Sequence, residues 1–371
     1  MRATRRIFFG LVLILLLSVS LVWGGQQGAN FPDVAGYKTL KCDMHSHTVF
    51  SDGTVWPTVR VDEAVREGLD LMAISDHIEY QPHRKDVPTN HNRPYEIAAK
   101  PARDKNILLP PATEITYDTP PGHCNAIFLT DVNLLDLGDY VAEVKAANEQ
   151  DGFVFWNHHD WQGEEKGGWF EEHNTIYQNG WLHGMEVSNG GTYYPRAHQW
   201  CLEKNLTMIG SSDIHGPSLI KQTTPGEHRT MTLVFARERT LESIKEALFA
   251  GRTLVWYRNQ LIGTQKNLEL MFAASVKVFV ANQISDDTQR LVILNSAGVN
   301  IELERTGTAG PEKLTLPGNA ITTIVVKAAP DAGPMALAYT AKNFVMAPET
   351  GLPVTLEVAD LQPVKELVEI K

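Results

Sequence analysis

The sequence predicts an α/β domain followed by a small all-β domain. Between about residues 38 and 263, short apolar runs alternate with helical patterns, which is typical of an α/β domain with a parallel sheet. From about residue 264 the chain changes to short β-rich runs separated by Gly, Pro, Asn and Asp, which is typical of a β-sandwich. The alternation alone leaves open whether the first sheet is flat or closed into a barrel.

The predicted elements of the first domain follow the order strand, helix, strand. Residues 38–43 and 71–75 are short enough to be strands, the second of them apolar, and residues 58–68 between them have a helical pattern. Further strands are predicted at 107–113, 125–129, 153–156, 184–187, 207–210 and 231–235, and further helices at 95–105, 137–149, 196–204 and 241–250. The last helix ends at Gly251, and glycine commonly terminates helices.

The tail, residues 264–371, is predicted to form a small β-sandwich-like accessory domain. Its apolar runs are LELMF, VKVFV, RLVIL, ITTIVVKA, MALAYT and VTLEV. The last histidine of the chain is His228 and the last tryptophan is Trp256, so neither residue type occurs in the tail. We therefore expect the tail to be non-catalytic, and its sequence leaves a glycan-binding or partner-binding role open.

Residues 1–25 have the features of a signal peptide. Arg2, Arg5 and Arg6 precede an apolar run over residues 7–23, and two glycines follow it. A basic segment, an apolar segment and small residues in this order are typical of a secretory signal. The run is also near the lower length limit for spanning a bilayer, so the alternative is an uncleaved N-terminal anchor. Either interpretation predicts export to the periplasm or the outside of the cell.

The charge of the chain argues against a nucleic-acid partner. The formal net charge is −11, and removing residues 1–25 would take away three arginines and no acidic residue, which leaves −14. Binding of nucleic acid depends on Lys and Arg that neutralise phosphates. A small phosphorylated substrate held by metal ions remains compatible with this charge, and the sequence does not determine the oligomeric state.

Three cysteines occur in the chain, at positions 42, 124 and 201. An odd and low count predicts no disulfide framework. Cys42 and Cys124 each lie beside a candidate metal-binding residue in an apolar segment. The sequence favours small buried strand residues there and leaves a Cys42–Cys124 bridge open.

Histidines next to carboxylates are the main functional signal. The chain has 13 histidines, and several stand at the ends of predicted strands. The segments that carry them, with one strand-borne Glu, are DMHSHTVFSDG (43–53), AISDH (73–77), TEIT (113–116), PGHCN (121–125), WNHHD (156–160) and SSDIH (211–215). Strand ends converge on one face of a parallel barrel, where active sites are built.

The spacing within these segments predicts a metal site. A strand projects alternate residues to one side, so His45 and His47 can approach one ion together, and Asp213 and His215 repeat that spacing. Imidazole and carboxylate ligands without thiolate suit Zn²⁺, Mn²⁺ or Fe. There are more candidate ligands than one tetrahedral ion needs, which predicts two to three divalent metal ions. Such sites hydrolyse esters and related bonds.

The ordered set HxH…SDG, SDH, Glu, GH, NH and SDxH resembles the polymerase-and-histidinol-phosphatase (PHP) superfamily over about residues 41–216. The resemblance implies a distorted (β/α)7 barrel with a trinuclear metal centre. It implies a first ion held by His45, His47, Glu114 and Asp213, a second held by Glu114, His123 and His158, and a third held by Asp52, His77 and His215. The family usually has His-Pro where this chain has His158-His159, so His158 is taken as the ligand.

Other sequence segments resemble a secreted branch of the superfamily that includes phosphodiesterases. The matching segments are DHIEYQPH, NRPYE, GMEVSNG and MTLVFARERTLESIKEALFAGRT. The resemblance implies a metal-dependent phosphoesterase acting on small monoesters or diesters. Two alternatives remain open: a metal-dependent amidohydrolase, since a related barrel also begins with HxH, and a non-catalytic exported metal-binding or glycan-binding protein. Phosphate-binding glycine loops and the GxSxG nucleophile motif are absent, which argues against nucleotide-driven chemistry and serine hydrolysis.

Several further residues are candidates for catalysis or substrate binding. Asp76 is expected to orient a ligand or to move a proton, and Asp213 is both a ligand and a catalytic candidate. His159, Arg229 and His83 are candidates for substrate contact, with a structural ion pair as the alternative for Arg229. Glu186 could support a ligand. The tryptophans around WNHHD, which are Trp156, Trp161, Trp169 and Trp181, are expected to be core residues or an apolar wall for an aromatic leaving group.

Overall fold

The computed structural model describes residues 29–88, 90–285, 287–327 and 336–357. The predicted signal peptide, residues 1–25, lies outside the described residues. Across the described parts of the chain, every helix is too short or too polar to cross a lipid bilayer.

The first part of the chain has the predicted α/β composition. Its strands are β1 Lys38–Asp43, β2 Leu71–Met72, β3 Ala112–Thr116, β4 His123–Ile127, β5 Phe153–Trp156, β6 Gly184–Asn189, β7 Thr192–Tyr193, β8 Thr207–Ser211, β9 Met231–Ala236, β10 Thr253–Tyr257 and β11 Gln260–Ile262. Its helices are α1 Pro57–Glu67, α2 Arg93–Asp104, α3 Tyr140–Glu149, α4 Glu171–Gln178, α5 Pro195–Lys204, α6 Leu241–Phe249 and α7 Gln265–Ser275, with a 3₁₀ turn at Val132–Leu135.

Local sequence explains how these helices begin and end. Pro57 opens α1 and Gly68 closes it with φ +68°, a conformation that favours glycine. The side chain of Asp139 accepts a hydrogen bond from the N–H of Ala142 at the start of α3, and Thr240 caps α6 in the same way.

The strands form two mixed sheets and not one closed barrel. In the first sheet β1 lies between β2, which is parallel to it, and β9, which is antiparallel. In the second sheet β3, β4 and β5 are antiparallel neighbours, and β6 is parallel to β5 and β8. Only isolated parallel bridges, Leu71–Leu108 and His77–Glu114, link the described strands β2 and β3. The predicted α/β class is therefore confirmed, while the ladder of the expected barrel does not close.

The side chain of Thr232 on β9 connects β9 to β8. The hydroxyl of Thr232 accepts a hydrogen bond from the N–H of Gly210 and donates one to its carbonyl, both at 2.9 Å. A Cβ at Gly210 would lie 2.3 Å from Val255 Cγ1, so only glycine allows β8 and β10 to approach this closely. The two sheets thus meet through side chains and hold the ends of β1, β3 and β8 together.

The strand predicted at residues 107–113 begins later in the structure, at Ala112. Residues 110 and 111 are both proline, and proline cannot donate to a sheet ladder. Leu108 makes the isolated bridge before them, and the regular strand β3 begins after them at Ala112. The shift puts Glu114 in the middle of the strand instead of beyond its end.

The extended run expected at LELMF was also wrong, because residues Gln265–Ser275 form helix α7. Its buried residues include Leu268, Met271, Phe272 and Ser275. Their spacing of three, four and seven is the periodicity of one helix face. Thr264 caps the helix by accepting a hydrogen bond from the N–H of Asn267. This helix-start residue lies outside the apolar run LELMF, so the run alone does not indicate a helix.

The tail that follows is all-β as predicted, but it shares a sheet with the first domain. Its strands are β12 Val276–Ser285, β13 Thr288–Asn295, β14 Ile301–Arg305, β15 Lys313–Leu316, β16 Ala320–Lys327, β17 Ala336–Ala347 and β18 Thr350–Glu357. Strands β12, β13 and β16 form one sheet. Strand β17 pairs in parallel with β11 through Leu261–Phe344 and Ile262–Val345, so the second tail sheet continues the sheet that contains β1.

The buried core crosses the boundary between the two parts. Trp256 and Leu268 from the first part pack in the same cluster as Ile293, Leu303 and Phe344 from the tail. The three cysteines are free and buried, so the alternative of a Cys42–Cys124 bridge does not hold.

Candidate metal centre

The first two imidazoles follow strand β1. The chain continues past Asp43, and both His45 and His47 are fully buried. Their Nε2 atoms are 3.0 Å apart, as expected for two residues that project to the same side. Two nitrogens bound to one tetrahedral ion at about 2.0–2.1 Å would be separated by about 3.3 Å. The observed separation is therefore close to that needed for a shared ion.

Two carboxylates from different strands face the same pair of nitrogens. Asp213, which follows β8, places Oδ1 3.2 Å from His45 Nε2 and 3.1 Å from His47 Nε2. Glu114 of β3 places Oε1 3.3 Å from His45 Nε2 and Oε2 3.4 Å from His47 Nε2. Asp213 has φ +51°, and its N–H donates to the carbonyl of His45 at 2.9 Å. This bond fixes the last motif against the first.

Glu114 also reaches the imidazoles of three other segments. Its Oε1 lies 3.1 Å from His123 Nδ1 and 3.4 Å from His158 Nε2. Its Oε2 lies 2.8 Å from His77 Nδ1. The carboxylate therefore stands at the centre of the site, in a position to bridge ions.

A third set of side chains gathers around Asp52. Its Oδ1 lies 3.4 Å from His77 Nε2, 3.2 Å from His215 Nε2 and 3.8 Å from His47 Nδ1. The ring of His47 stacks on those of His77 and His215, with centroids 4.4 and 4.2 Å apart.

These residues form four overlapping groups in which the ligand atoms lie within 4.8 Å of one another. The groups are His47, Asp52, His77 and His215; His45, His47 and Glu114; His45, His158 and Asp213; and His77, Glu114 and His123. All nine predicted ligands belong to at least one group. Because the groups share members, they make one continuous cluster in the described part of the chain.

The second nitrogen or the backbone of several ligands is held by a neighbour. Glu186 Oε1 lies 2.9 Å from His45 Nδ1, and Glu186 Oε2 accepts from the backbone N–H of His158 at 3.0 Å. His77 Nδ1 lies 2.6 Å from Thr116 Oγ1. Such outer contacts fix the tautomer and orientation of metal-binding imidazoles. Glu186, one of the sequence candidates, is thus placed to support two ligands.

Two asparagines that the sequence analysis missed hold Glu114. Asn157 Nδ2 donates to Glu114 Oε1 at 2.7 Å and to Asn125 Oδ1 at 2.9 Å. Asn125 Nδ2 in turn donates to the carbonyl of Met44 at 3.0 Å. The available signal was position, since Asn157 directly precedes His158.

Arg60 of α1 was also missed, although it is buried and ties the first motif to the last. Its Nε donates to the carbonyl of His47 at 2.9 Å, and its two terminal nitrogens donate to the carbonyls of Ile214 and Gly216, each at 2.8 Å. Glu63 pairs with the same guanidinium at 2.6 Å. A lone arginine in an amphipathic helix carries no sequence mark of this role.

The charges of the cluster are strongly coupled. Burial alone would raise the pKa of Glu114, but the imidazoles of His45, His77 and His123 hold it well below its usual range. Burial and the neighbouring His77 lower the pKa of His47 to about 3. Glu114 is therefore ionised and His47 neutral near neutral pH, which are the forms that bind metal ions.

The donor set fits divalent metal ions. Glu114 Oε2 and Asp213 Oδ1 are buried and have no hydrogen-bond partner, although each faces imidazole nitrogens. Buried acceptors without a donor are costly, and a cation shared with neutral imidazoles would satisfy them. Nitrogen and oxygen ligands without sulfur suit Zn²⁺, Mn²⁺ or Fe.

The cluster opens to solvent on one side. The side chains of His215, Asp52 and Asp213 are 37%, 24% and 18% exposed, whereas those of His45 and Glu114 are fully buried. The open side of the cluster therefore lies along Asp52 and the segment around Asp213 and His215.

A crystal structure of a two-domain protein from Bacteroides vulgatus matches this chain over most of its length. That protein contains a predicted PHP-like metal-dependent phosphoesterase. The identity is 41%, the match covers 90% of this chain and 100% of the other, and the TM-score is 0.84. The chain belongs to this PHP-like family.

Other comparisons are more distant. A candidate metal-dependent phosphoesterase from Bifidobacterium adolescentis matches at 18% identity over 56% of this chain and 95% of its own, with a TM-score of 0.40. An amidohydrolase from Chromobacterium violaceum matches at 14% identity over 48% and 88%, with a TM-score of 0.37. The family model of an Ig-like domain, DUF5001, matches residues 276–357, the all-β tail of this PHP protein. No curated protein matches the chain.

In this PHP chain the carboxylate of Asp76 is bound by the loop between His47 and Asp52. Its Oδ1 accepts from the N–H of Thr48 and the hydroxyl of Ser51, and its Oδ2 accepts from the hydroxyl of Thr48, all at 2.6 Å. Asp76 is nearly buried. These bonds fix the loop between His47 and Asp52, so Asp76 is placed to position these two candidate ligands.

The three candidates for substrate contact have different surroundings. Arg229 donates to Glu67 through two nitrogens at 2.7 Å and to Asp43 at 2.8 Å, so the structural ion pair replaces the expected phosphate contact. His159 Nδ1 lies 2.8 Å from the carbonyl of Gly167, and its buried ring packs among Trp156, Tyr194 and Trp200. His83 is exposed on the loop after β2 and belongs to none of the four ligand groups.

Proposed function

We propose that this protein is an exported phosphoesterase that hydrolyses small phosphate esters with two to three divalent metal ions. The observation that carries the proposal is the convergence of nine imidazole and carboxylate ligands from six separate segments into one cluster. Structural metal sites need four ligands. A cluster of this size, open to solvent at one side, is the arrangement that hydrolytic multi-metal sites use.

The proposed ligand sets are those that the family resemblance implies, and the distances within the cluster are compatible with them. His45 and His47 with Glu114 and Asp213 would hold a first ion, Glu114 with His123 and His158 a second, and Asp52 with His77 and His215 a third. When bound, divalent ions supply Lewis-acid polarisation of a phosphoryl oxygen and acidify water at neutral pH. Zn²⁺, Mn²⁺ and Fe are the candidates.

The remaining chemistry belongs to the protein's own side chains. The backbone and side-chain contacts of Glu186, Asn157 and Arg60 fix the ligands before substrate arrives, so little reorganisation is needed during the reaction. Asp213 lies at the open rim, and the nearby imidazole of His45 helps to hold its pKa below the usual range despite burial. Its carboxylate can therefore orient a water molecule or a substrate hydroxyl by accepting a hydrogen bond.

Small esters are favoured over nucleic acid as substrates. The net charge of −11 would repel an extended polyanion. One or two phosphate charges can still be neutralised by the ions themselves. Export is proposed from the basic and apolar pattern of residues 1–25.

The test uses the protein from residue 26 onward, loaded with Zn²⁺ or Mn²⁺. Elemental analysis counts the ions, and p-nitrophenyl phosphate, bis-p-nitrophenyl phosphate and a p-nitroanilide measure the reaction. We expect two to three ions per chain and turnover of at least one phosphate ester, which also separates monoesterase from diesterase. His45→Ala should lose turnover and metal, whereas Glu242→Ala, which changes an exposed residue of α6, should retain both.

A metal-free chain that hydrolyses neither phosphate ester would contradict the proposal. Turnover of the anilide with no turnover of either ester would instead identify an amidohydrolase.

A further inference from the structure

Two half-exposed aromatic side chains stand at the edge of the metal centre. Tyr80 and Trp161 are each 52% exposed. The ring of Tyr80 is 5.9 Å from that of His77, and the ring of Trp161 is 5.5 Å from that of His123. The ring centroids of His77 and His123 are 5.6 Å apart. Neighbouring rings therefore follow one another along this edge, from Tyr80 through the two imidazoles to Trp161. We call Tyr80 and Trp161 the aromatic rim.

The aromatic rim differs from the tryptophans packed behind the site. Trp156, five residues before Trp161, is fully buried and stacks on His173 at 3.7 Å and on Trp200 at 5.6 Å. Trp156 therefore stabilises the core. Trp161 turns the other way, since the rings within reach include those of the ligands His123 and His158 at 5.5 and 6.0 Å.

The backbone around Trp161 is held in place although its side chain is exposed. The N–H of Trp161 donates to the carbonyl of the ligand His158 at 3.0 Å, and the N–H of Gly163 donates to the carbonyl of Asp160 at 2.7 Å. A Cβ at Gly167 would lie 2.6 Å from Asp160 Cβ. The loop therefore closes tightly on itself and fixes the backbone of Trp161 beside His158.

Tyr80 is anchored through the residue before it. Glu79 Oε2 accepts from the backbone N–H of Thr116 at 2.7 Å, and Thr116 also contacts the ligand His77. Both members of the rim are thus tied to metal ligands, one on the loop after β2 and one on the loop after β5. Exposed aromatic surface beside a site is available for ligand binding, whereas a core aromatic is buried.

From this arrangement we infer that the aromatic rim binds a planar, uncharged ring on the substrate, so that the preferred esters have an aryl or heteroaryl group next to the phosphate. This inference rests on the proposed function, because the phosphate is placed by the metal ions. Stacking needs only a flat π-face and tolerates different rings. The rim contacts His77 and His123 at the edge of the cluster. The phosphate would therefore lie at the ions, and the ring would extend from it toward the rim.

Binding of phosphonates tests the inference without the complication of leaving-group reactivity. Isothermal titration calorimetry on the metal-loaded protein compares methylphosphonate, benzylphosphonate and cyclohexylmethylphosphonate. We expect benzylphosphonate to bind about tenfold more tightly than methylphosphonate, as one stacked ring supplies. The cyclohexyl compound should bind more weakly than the benzyl compound because it has no flat face.

Substitutions locate the effect. Trp161→Ala and Tyr80→Ala should each reduce the preference for benzylphosphonate severalfold and leave both the metal content and the affinity for methylphosphonate unchanged. Trp161→Phe should keep most of the preference. Phe249→Ala is the matched control, since Phe249 is 46% exposed but packs against Phe153 and His183, and it should keep the full preference.

Each other outcome overturns a defined part. Equal binding of benzylphosphonate and methylphosphonate would overturn the inference and leave the phosphoesterase proposal standing. Equal binding of the benzyl and cyclohexyl compounds would overturn the requirement for a planar ring. Failure of all three to bind the metal-loaded protein would contradict the proposed function and the inference together.

Discussion

Glu186 and His45 form a buried pair at the back of the metal centre, with Oε1 of the carboxylate 2.9 Å from Nδ1 of the imidazole. The carboxylate fixes the tautomer in which Nδ1 carries hydrogen, and the lone pair of Nε2 then points at the space shared with His47. Glu186 therefore prepares His45 for metal binding without touching the ion.

Glu186→Ala should weaken metal binding by about 10- to 100-fold, the usual effect of losing a carboxylate that supports a metal-binding imidazole. Glu186→Gln should have a smaller effect, because its amide oxygen can still accept from His45. Competition with a chelator measures the affinity. Glu242→Ala, an exposed glutamate on α6, is the control, and equal affinity in Glu186→Ala and wild type would contradict the assignment.

Metal removal should destabilise the protein. Without ions, buried Glu114 and Asp213 keep acceptor atoms that have no hydrogen-bond partner. A single ion present at 100 times its dissociation constant contributes about 2.7 kcal/mol of stability, which corresponds to a rise in Tm of about 4 °C for a folded unit of this size. Thermal denaturation with EDTA and after restoration of Zn²⁺ or Mn²⁺ measures the shift. His45→Ala should show a much smaller shift, and an unchanged Tm in the wild type would refute a stabilising metal centre.

Arg229 provides a test that separates a structural role from substrate binding. Arg229→Met would leave Glu67 and Asp43 buried without their partner, and breaking a buried ion pair in this way costs about 3–5 kcal/mol. Urea denaturation should therefore show a large loss of stability, with little change in KM for the remaining folded enzyme. Arg229→Lys should recover part of the stability. Normal stability with a strongly raised KM would instead restore Arg229 as a phosphate contact.

The ligands were predictable because their signal is local. The i, i+2 spacing of His45 and His47, and of Asp213 and His215, predicts that each pair projects to one side of the chain. The ordered segments also resemble a known family. Arg60 and Asn157 gave no such signal, since their roles depend on contacts between residues far apart in sequence, such as Arg60 with Gly216. The open sheet and the pairing of β11 with β17 depend on long-range geometry in the same way.

The strand prediction at LELMF was wrong because a short apolar run is ambiguous. LELMF is five residues of a helix face, and a short apolar run does not distinguish a strand from a buried helix. Arg229 shows the limit for side chains: its position near the last motif suggested phosphate binding, but two buried carboxylates from β1 and α1 already bind its guanidinium.

The buried histidine behind the centre predicts how stability depends on pH. His173 Nδ1 accepts from the N–H of Phe170 at 3.0 Å, and its Nε2 lies 2.8 Å from the carbonyl of Pro121. The ring is therefore neutral with hydrogen on Nε2, because a proton on Nδ1 would face another N–H. Burial lowers the pKa of His173 to about 4 from 6.5.

Between pH 6.5 and about 4 the unfolded chain binds a proton at His173 that the folded chain does not. The contribution of His173 to stability should therefore fall as the pH falls through this window, and it should stay constant below it. The full contribution of this group is about 3 kcal/mol. His173→Gln can keep both hydrogen bonds but cannot titrate, and it should reduce the acid-induced loss of stability by about this amount. Urea denaturation of the metal-free protein at several pH values measures the slope, with His83→Gln as the matched surface control. If His173→Gln and wild type lose stability in parallel between pH 6.5 and 4, His173 is not the buried neutral group that its contacts describe.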